Sequence, residues 1–120
     1  MLLEQIETKL KEIDNNCFYG AVDPRMRETL WNYIVFTRKP TRVNENKTGL
    51  TYCFSVNIVR ENYIEDGLDL TVIQKMLEIA GMRLAGNDIE YVYITKPNTN
   101  IVVEMASIDF VKPVKVSFNG

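Results

Sequence analysis

Gly49-Leu50-Thr51-Tyr52-Cys53-Phe54-Ser55-Val56-Asn57-Ile58-Val59-Arg60-Glu61-Asn62 is the stretch on which the fold turns. From Leu50 to Ile58 it alternates without a break, with Leu50, Tyr52, Phe54, Val56 and Ile58 on one side and Thr51, Cys53, Ser55 and Asn57 on the other. A two-residue period is that of a half-buried strand. Burying its apolar side chains contributes on the order of 10 kcal/mol before entropy costs, at ~1.5–3 kcal/mol each, so this face is the expected floor for whatever covers the sheet.

Working outward, Trp31 to Val43 is a second β-patterned run, rich in β-branched and aromatic residues, with Pro40 marking where regular pairing weakens. Between the two lies Asn44-Glu45-Asn46-Lys47-Thr48-Gly49, a chain of turn formers, which predicts an antiparallel hairpin. On the other side, Tyr63 to Gly67 is a connector. A helix follows, capped by Asp69 or Thr71, the latter at capping-box spacing from Gln74. Ile73, Met76, Leu77, Ala80 and Leu84 form its apolar face, Val72 and Ile79 its shoulder, and Gly81 or Gly86 its stop. Ile89–Lys96 and Ile101–Val111 are two further strands around a Pro97-Asn98-Thr99-Asn100 turn, and from Pro113 to Gly120 a tail can extend through Val114-Lys115-Val116-Ser117-Phe118.

At the N-terminus, Leu3, Ile6, Leu10 and Ile13 line one face of an amphipathic helix over residues 2–14, with Asn15-Asn16 favouring a left-handed exit. Cys17 to Val22 has no period and reads as loop or a short extended piece, and Asp23-Pro24 can open a turn of helix. The resulting order, α-β-β-α-β-β over residues 1–120, predicts one α+β domain: a mainly antiparallel four-stranded sheet with two amphipathic helices on one face.

The other sheet face bears on function. With Val92 and Ile94 directed to the core, Tyr91 and Tyr93 point away, and the last strand is apolar on both of its faces. Two helices cannot cover both faces. Either large aromatics simply rest on an exposed sheet, or a neighbouring subunit covers them.

Composition bounds the chemistry. Hydrophobic residues at 46%, charged residues at 25% and a net charge of -2 describe an ordinary soluble domain with no global field to hold a polyanion. The absence of histidine removes the commonest general base and the commonest metal ligand, and leaves Cys17 and Cys53 without a partner for nucleophilic catalysis. The two cysteines match no metal spacing and are expected as reduced thiols in a cytosolic setting. No leader peptide and no membrane span are expected from the acid-containing N-terminus and the short apolar runs.

Three charged groups can be weighed as sites. Glu61, Glu65, Asp66 and Asp69 cluster around the connector, but fit no calcium-loop pattern and are accounted for by a helix N-terminus and solubility. Arg38, Lys39, Arg42 and Lys47 gather at the far end of the first hairpin, where they can meet phosphates, solvent or a protein partner. Asp88, Glu90 and Lys96 are an acid-acid-lysine set at the wrong spacing for a nuclease. No catalytic residue, cofactor or metal ligand is assigned.

Phe18-Tyr19-Gly20, Trp31 to Arg38, Ile58 to Ile64, Gly81-Met82-Arg83-Leu84-Ala85 and Val103-Glu104-Met105 together resemble a family of small structural proteins encoded among the head-tail joining and tail genes of long-tailed phages of Gram-positive bacteria. The likeness runs over nearly the whole chain, and the element order is similar to that of tail-terminator, or tail-completion, proteins. The resemblance implies a non-enzymatic subunit of a homo-oligomeric ring, a hexamer, in the virion neck, assembled in the host cytoplasm. Its implied partners are the tail tube protein and the head-tail connector or head-closure protein, with DNA only passing through the lumen and no membrane. On this reading Arg42, Asn44, Lys47, Glu61, Tyr63, Tyr91 and Tyr93 are the expected interface residues. The alternatives are another neck or minor capsid role, or a metal-dependent nuclease using Asp88, Glu90 and Lys96.

Overall fold

Thirteen residues, Gly49–Glu61, form the central strand β3, and β6 (Val102–Lys115) runs antiparallel beside it without a single register shift from Gly49↔Lys115 to Glu61↔Val103. A computed structural model supplies these coordinates and describes residues 1–23, 25–26 and 29–115. The remaining elements are α1 (Leu2–Lys11), β1 (Cys17–Tyr19), β2 (Tyr33–Val43), α2 (Leu68–Leu77), β4 (Arg83–Leu84) and β5 (Glu90–Thr95). The helical turn expected to open at Pro24 and the extension through Val116-Ser117-Phe118 lie outside the described residues.

The domain is α+β with two helices among the described residues, as the pattern predicts, but the sheet they form has six strands and is mixed. Its order is β1-β2-β3-β6-β4, with β5 also on the outer side of β6. β1 pairs parallel to β2, and every other pair is antiparallel. Three residues are too few to show a period, which is why the sequence leaves Cys17–Tyr19 as loop or a short extended piece; it is the latter. β4 and β5 lie end to end along β6: Leu84 faces Phe110 and Glu90 faces Ser107, so residues 83–95 form one interrupted edge strand with a three-residue register offset. The Gly86 to Ile89 excursion absorbs that offset.

Cross-strand rows explain the core. Ile34, Ile58 and Ala106 lie abreast, as do Phe36, Val56 and Ile108, and all are buried under Ile6 and Leu10 of α1 and Val72 and Met76 of α2. The alternation of β3 outruns its cover, however. Phe54, Val56 and Ile58 are fully buried, Tyr52 only borders the core and Leu50 stands outside it. Past Phe54 the strands leave the helices and continue as a three-stranded arm, so the molecule measures 57 × 30 × 24 Å with a radius of gyration of 16.0 Å. A compact chain of this length would have about 14 Å.

α1 starts at Leu2 as the pattern predicts but stops short of it, and α2 both starts and stops differently. α1 ends at Lys11, and Asn15 and Asn16 adopt no left-handed conformation; Asp14 instead accepts the Asn16 amide at 2.9 Å. α2 begins at Leu68 after a left-handed Gly67, so Thr71 is already in the first turn. Its hydroxyl donates back to the Gly67 carbonyl at 3.0 Å in place of a capping box. No helix among the described residues is long and apolar enough to cross a membrane.

Candidate functional site

The residues expected at an interface fall at opposite ends of the molecule. Arg42, Asn44 and Lys47 lie on the arm, while Glu61, Tyr63, Tyr91 and Tyr93 lie at the other end of β3, about 40 Å away at the rise of a strand.

At the arm tip, Asn44 holds the turn itself: its Oδ1 accepts the Thr48 amide at 2.8 Å and its Nδ2 donates to the Thr48 hydroxyl at 2.9 Å. Gly49 is required beside it, because a Cβ there would sit 2.9 Å from the Val114 carbonyl oxygen. Arg38, Lys39, Arg42, Lys47, Lys112 and Lys115 give the arm a positive field, against which only Glu45 and Asp109 stand. Lys39 is spent on Asp109 at 2.8 Å, and that contact raises its pKa. Among the described residues Arg38, Arg42 and Lys47 make no ion pair.

The far end is built around Arg60 and Glu104. Arg60, nearly buried, reaches Asp14 at 2.9 Å and Glu65 at 3.0 Å and donates to the Val59 carbonyl, tying the loop after α1 to the connector before α2. The connector then turns through two successive left-handed residues, Asn62 (φ 56°) and Tyr63 (φ 78°). A tyrosine in that conformation is strained, and hydrogen bonds on both sides pin it: the Asn62 amide donates to the Val102 carbonyl and the Ile64 amide to Glu104 Oε1, each at 2.8 Å.

Tyr91 and Tyr93 correct the expected orientation. Register with β6 sets Tyr91 opposite Ala106 and Tyr93 opposite Glu104, so both tyrosines lie on the helix side, while Val92 and Ile94 occupy the open face. The Tyr93 hydroxyl donates to Glu104 Oε2 at 2.6 Å and that of Tyr91 to Asp69 Oδ2 at 3.0 Å. The Glu104 carboxylate is the main cause of a raised Tyr93 pKa; for Tyr91 desolvation leads and Asp69 adds to it. Sequence could not decide this orientation, because β5 is apolar on both faces; the fully buried row Ala106, Ile108 and Phe110 of β6, under the helices, fixes which side is the core, although Val103 is buried on the other face.

The charged groups weighed from sequence separate. Glu65, Asp66 and Asp69 line a cleft of about 230 Å³ with Tyr91 and Glu104, while Glu61 turns to the open face and binds Lys96 at 2.9 Å. Lys96 also lies 5.7 Å from the centre of the Trp31 ring. It is therefore not beside Glu90, which is six residues away along the edge and shares a polar cleft with Asp88, Lys39, Asp109, Ser55 and Ser107. No three His, Cys, Asp or Glu side chains among the described residues are placed to hold a metal ion. Burial pushes the Cys17 thiol up to about 12, and Cys53 is buried and free.

The sequence reading missed the role of Glu104 at this end and the exposure of Val92 and Ile94. All six residues of β5 are exposed, with Val92 at 52% and Ile94 at 41%. The chain matches no protein-family model, and no curated protein matches it significantly.

Proposed function

We propose that the chain is a virion structural protein of a long-tailed phage, a tail-terminator ring subunit that caps the tail tube and joins it to the head connector. The observation that carries this reading is the segregation of charge along an elongated subunit. A basic arm with uncompensated Arg42 and Lys47 lies at one end, and an acidic connector with Glu65, Asp66 and Asp69 lies about 40 Å away at the other. Unlike ends suit heterologous contacts, which close into rings when the rotation between neighbours closes. Three of the stretches that carry the family resemblance, Phe18 to Gly20, Trp31 to Arg38 and Ile58 to Ile64, meet in space through the β1–β2–β3 pairing. The role is non-enzymatic and needs neither cofactor nor metal; the tail tube and the connector are its partners, and DNA passes through its lumen.

Charge reversal at the arm tests the reading. Arg42→Glu with Lys47→Glu changes unfolding stability by no more than exposed substitutions do, about 0.5 kcal/mol each, because both side chains are exposed and unpaired among the described residues. The same variant is expected to lose binding to purified tail tubes and to yield unfilled or tailless particles when it replaces the wild type. Normal particles from a folded variant overturn the assignment.

A further inference from the structure

β5 is an open edge strand with an unusual property: it is complementary to itself. The Lys96 amide donates to the Ile101 carbonyl, so alternation along the ladder directs the backbone groups of Ile94, Val92 and Glu90 to β6 and those of Thr95, Tyr93 and Tyr91 outward. No described residue bonds to that outer side. A second copy can pair with it antiparallel only where outward residues meet outward residues. The register centred on Tyr93 gives the most such pairs: Tyr93 faces Tyr93, and Tyr91 faces Thr95 twice. Registers shifted by two residues lose a pair or run into Pro97, which has no amide hydrogen.

That same register places Val92 against Ile94 on the open face and Glu90 against Lys96, which Glu61 also binds, at both ends, an apolar contact flanked by opposite charges. On the helix side, Asp69 of α2 binds Tyr91, and α2 also exposes Leu70 and Leu77, two turns apart. These leucines face away from α1, which is held through Lys75 and Glu78.

From this we infer that the free chain forms a two-fold dimer by antiparallel pairing of β5 with β5 of a second copy, centred on Tyr93. The contact is two-fold, whereas a ring needs heterologous contacts. It belongs to the chain before assembly and stands whether or not the ring reading does.

Sedimentation and cysteine trapping test it. The wild type is expected at twice the 13.9 kDa chain mass, falling to the monomer on dilution. Across a hydrogen-bonded pair, residues facing each other have Cα atoms ~5.5 Å apart, within the ~4.4–6.8 Å span of a disulfide. Tyr93→Cys is thus expected to crosslink to itself under oxidised glutathione. Tyr91→Cys, whose two copies are roughly 13 Å apart along the strand, is not. Glu90→Lys and Lys96→Glu should each dimerise several-fold more weakly alone, and recover as a heterodimer when mixed. A wild type that is monomeric at every concentration overturns the inference, as does a folded Tyr93→Cys variant that stays uncrosslinked, or a Glu90→Lys variant that dimerises unchanged. A hexamer without the Tyr93→Cys crosslink rejects this contact and leaves the ring reading intact.

Discussion

Beyond Phe36, the outer side of β2 carries Arg38, Lys39, Pro40 and Arg42 and shifts register between Lys39 and Arg42; the outer side of β5 carries Tyr91, Val92, Tyr93 and Ile94 in unbroken register. Both are open edges of one sheet. The first has every device that keeps an edge from recruiting another strand: charge, proline and a bulge. Pro40 falls where the alternation set by the Gly20 amide bond to the Phe36 carbonyl directs backbone groups outward, so its missing amide hydrogen blunts the exposed side. Between Tyr91 and Thr95 the second edge has none of these; its charges, Glu90 and Lys96, and its proline, Pro97, stand only at the ends of that stretch. An edge left unprotected in a chain that protects its other edge is an edge kept for pairing.

The largest way to break this contrast is through the floor both edges share. Phe110 is fully buried, faces Phe54 on one side and Leu84 of the β5 edge on the other. Phe110→Ala is expected to cost about 3–5 kcal/mol in denaturant unfolding and to loosen both edges together. A smaller cost would mean that the two edges are held separately.

A second substitution should act on one edge alone. Arg60 reaches Asp14 and the Tyr33 carbonyl on the β1–β2 side, at 2.9 and 3.5 Å. Arg60→Ala is expected to cost about 2–3 kcal/mol, below the full loss for a buried pair because Glu65 stays solvated. Hydrogen exchange should rise at Cys17–Tyr19 and Tyr33–Phe36 while β5 is unaffected.

Pro40→Val has the smallest effect on stability, under about 1 kcal/mol, but sharpens the contrast most directly. It restores an outward amide to β2, and the variant is expected to associate beyond the dimer at high concentration. If its mass stays that of the wild type, charge and bulge suffice to guard that edge.

What the sequence revealed follows the same contrast. β3 was legible because its alternation is long and its faces differ; the hairpin to β2 and the existence of β5 and β6 followed from turn residues. β6 runs to Lys115 through Pro113, farther than the pattern implied, because β3 beside it continues to Gly49 and supplies partners. The facing of β5 was illegible, since apolar side chains on both its sides leave the choice to register with β6. The same ambiguity that misled the reading of Tyr91 and Tyr93 is what makes the strand able to pair with itself. Glu104 gave no local signal: its role as acceptor for the Ile64 amide exists only once a connector 40 residues away has met it, and its bond to the Tyr93 hydroxyl, 11 residues away, only once the β5–β6 register is set.

The thirteen-residue register of β3 against β6 has a mechanical meaning. A pull on the arm tip, directed away from the helices, drags β3 lengthwise along β6 and loads the whole ladder in shear, so its hydrogen bonds must yield together and not one after another. β1 and β4, three and two residues long, would peel under the same tension. The strand pair is thus a stiff tie-rod, with the yielding parts placed at its sides.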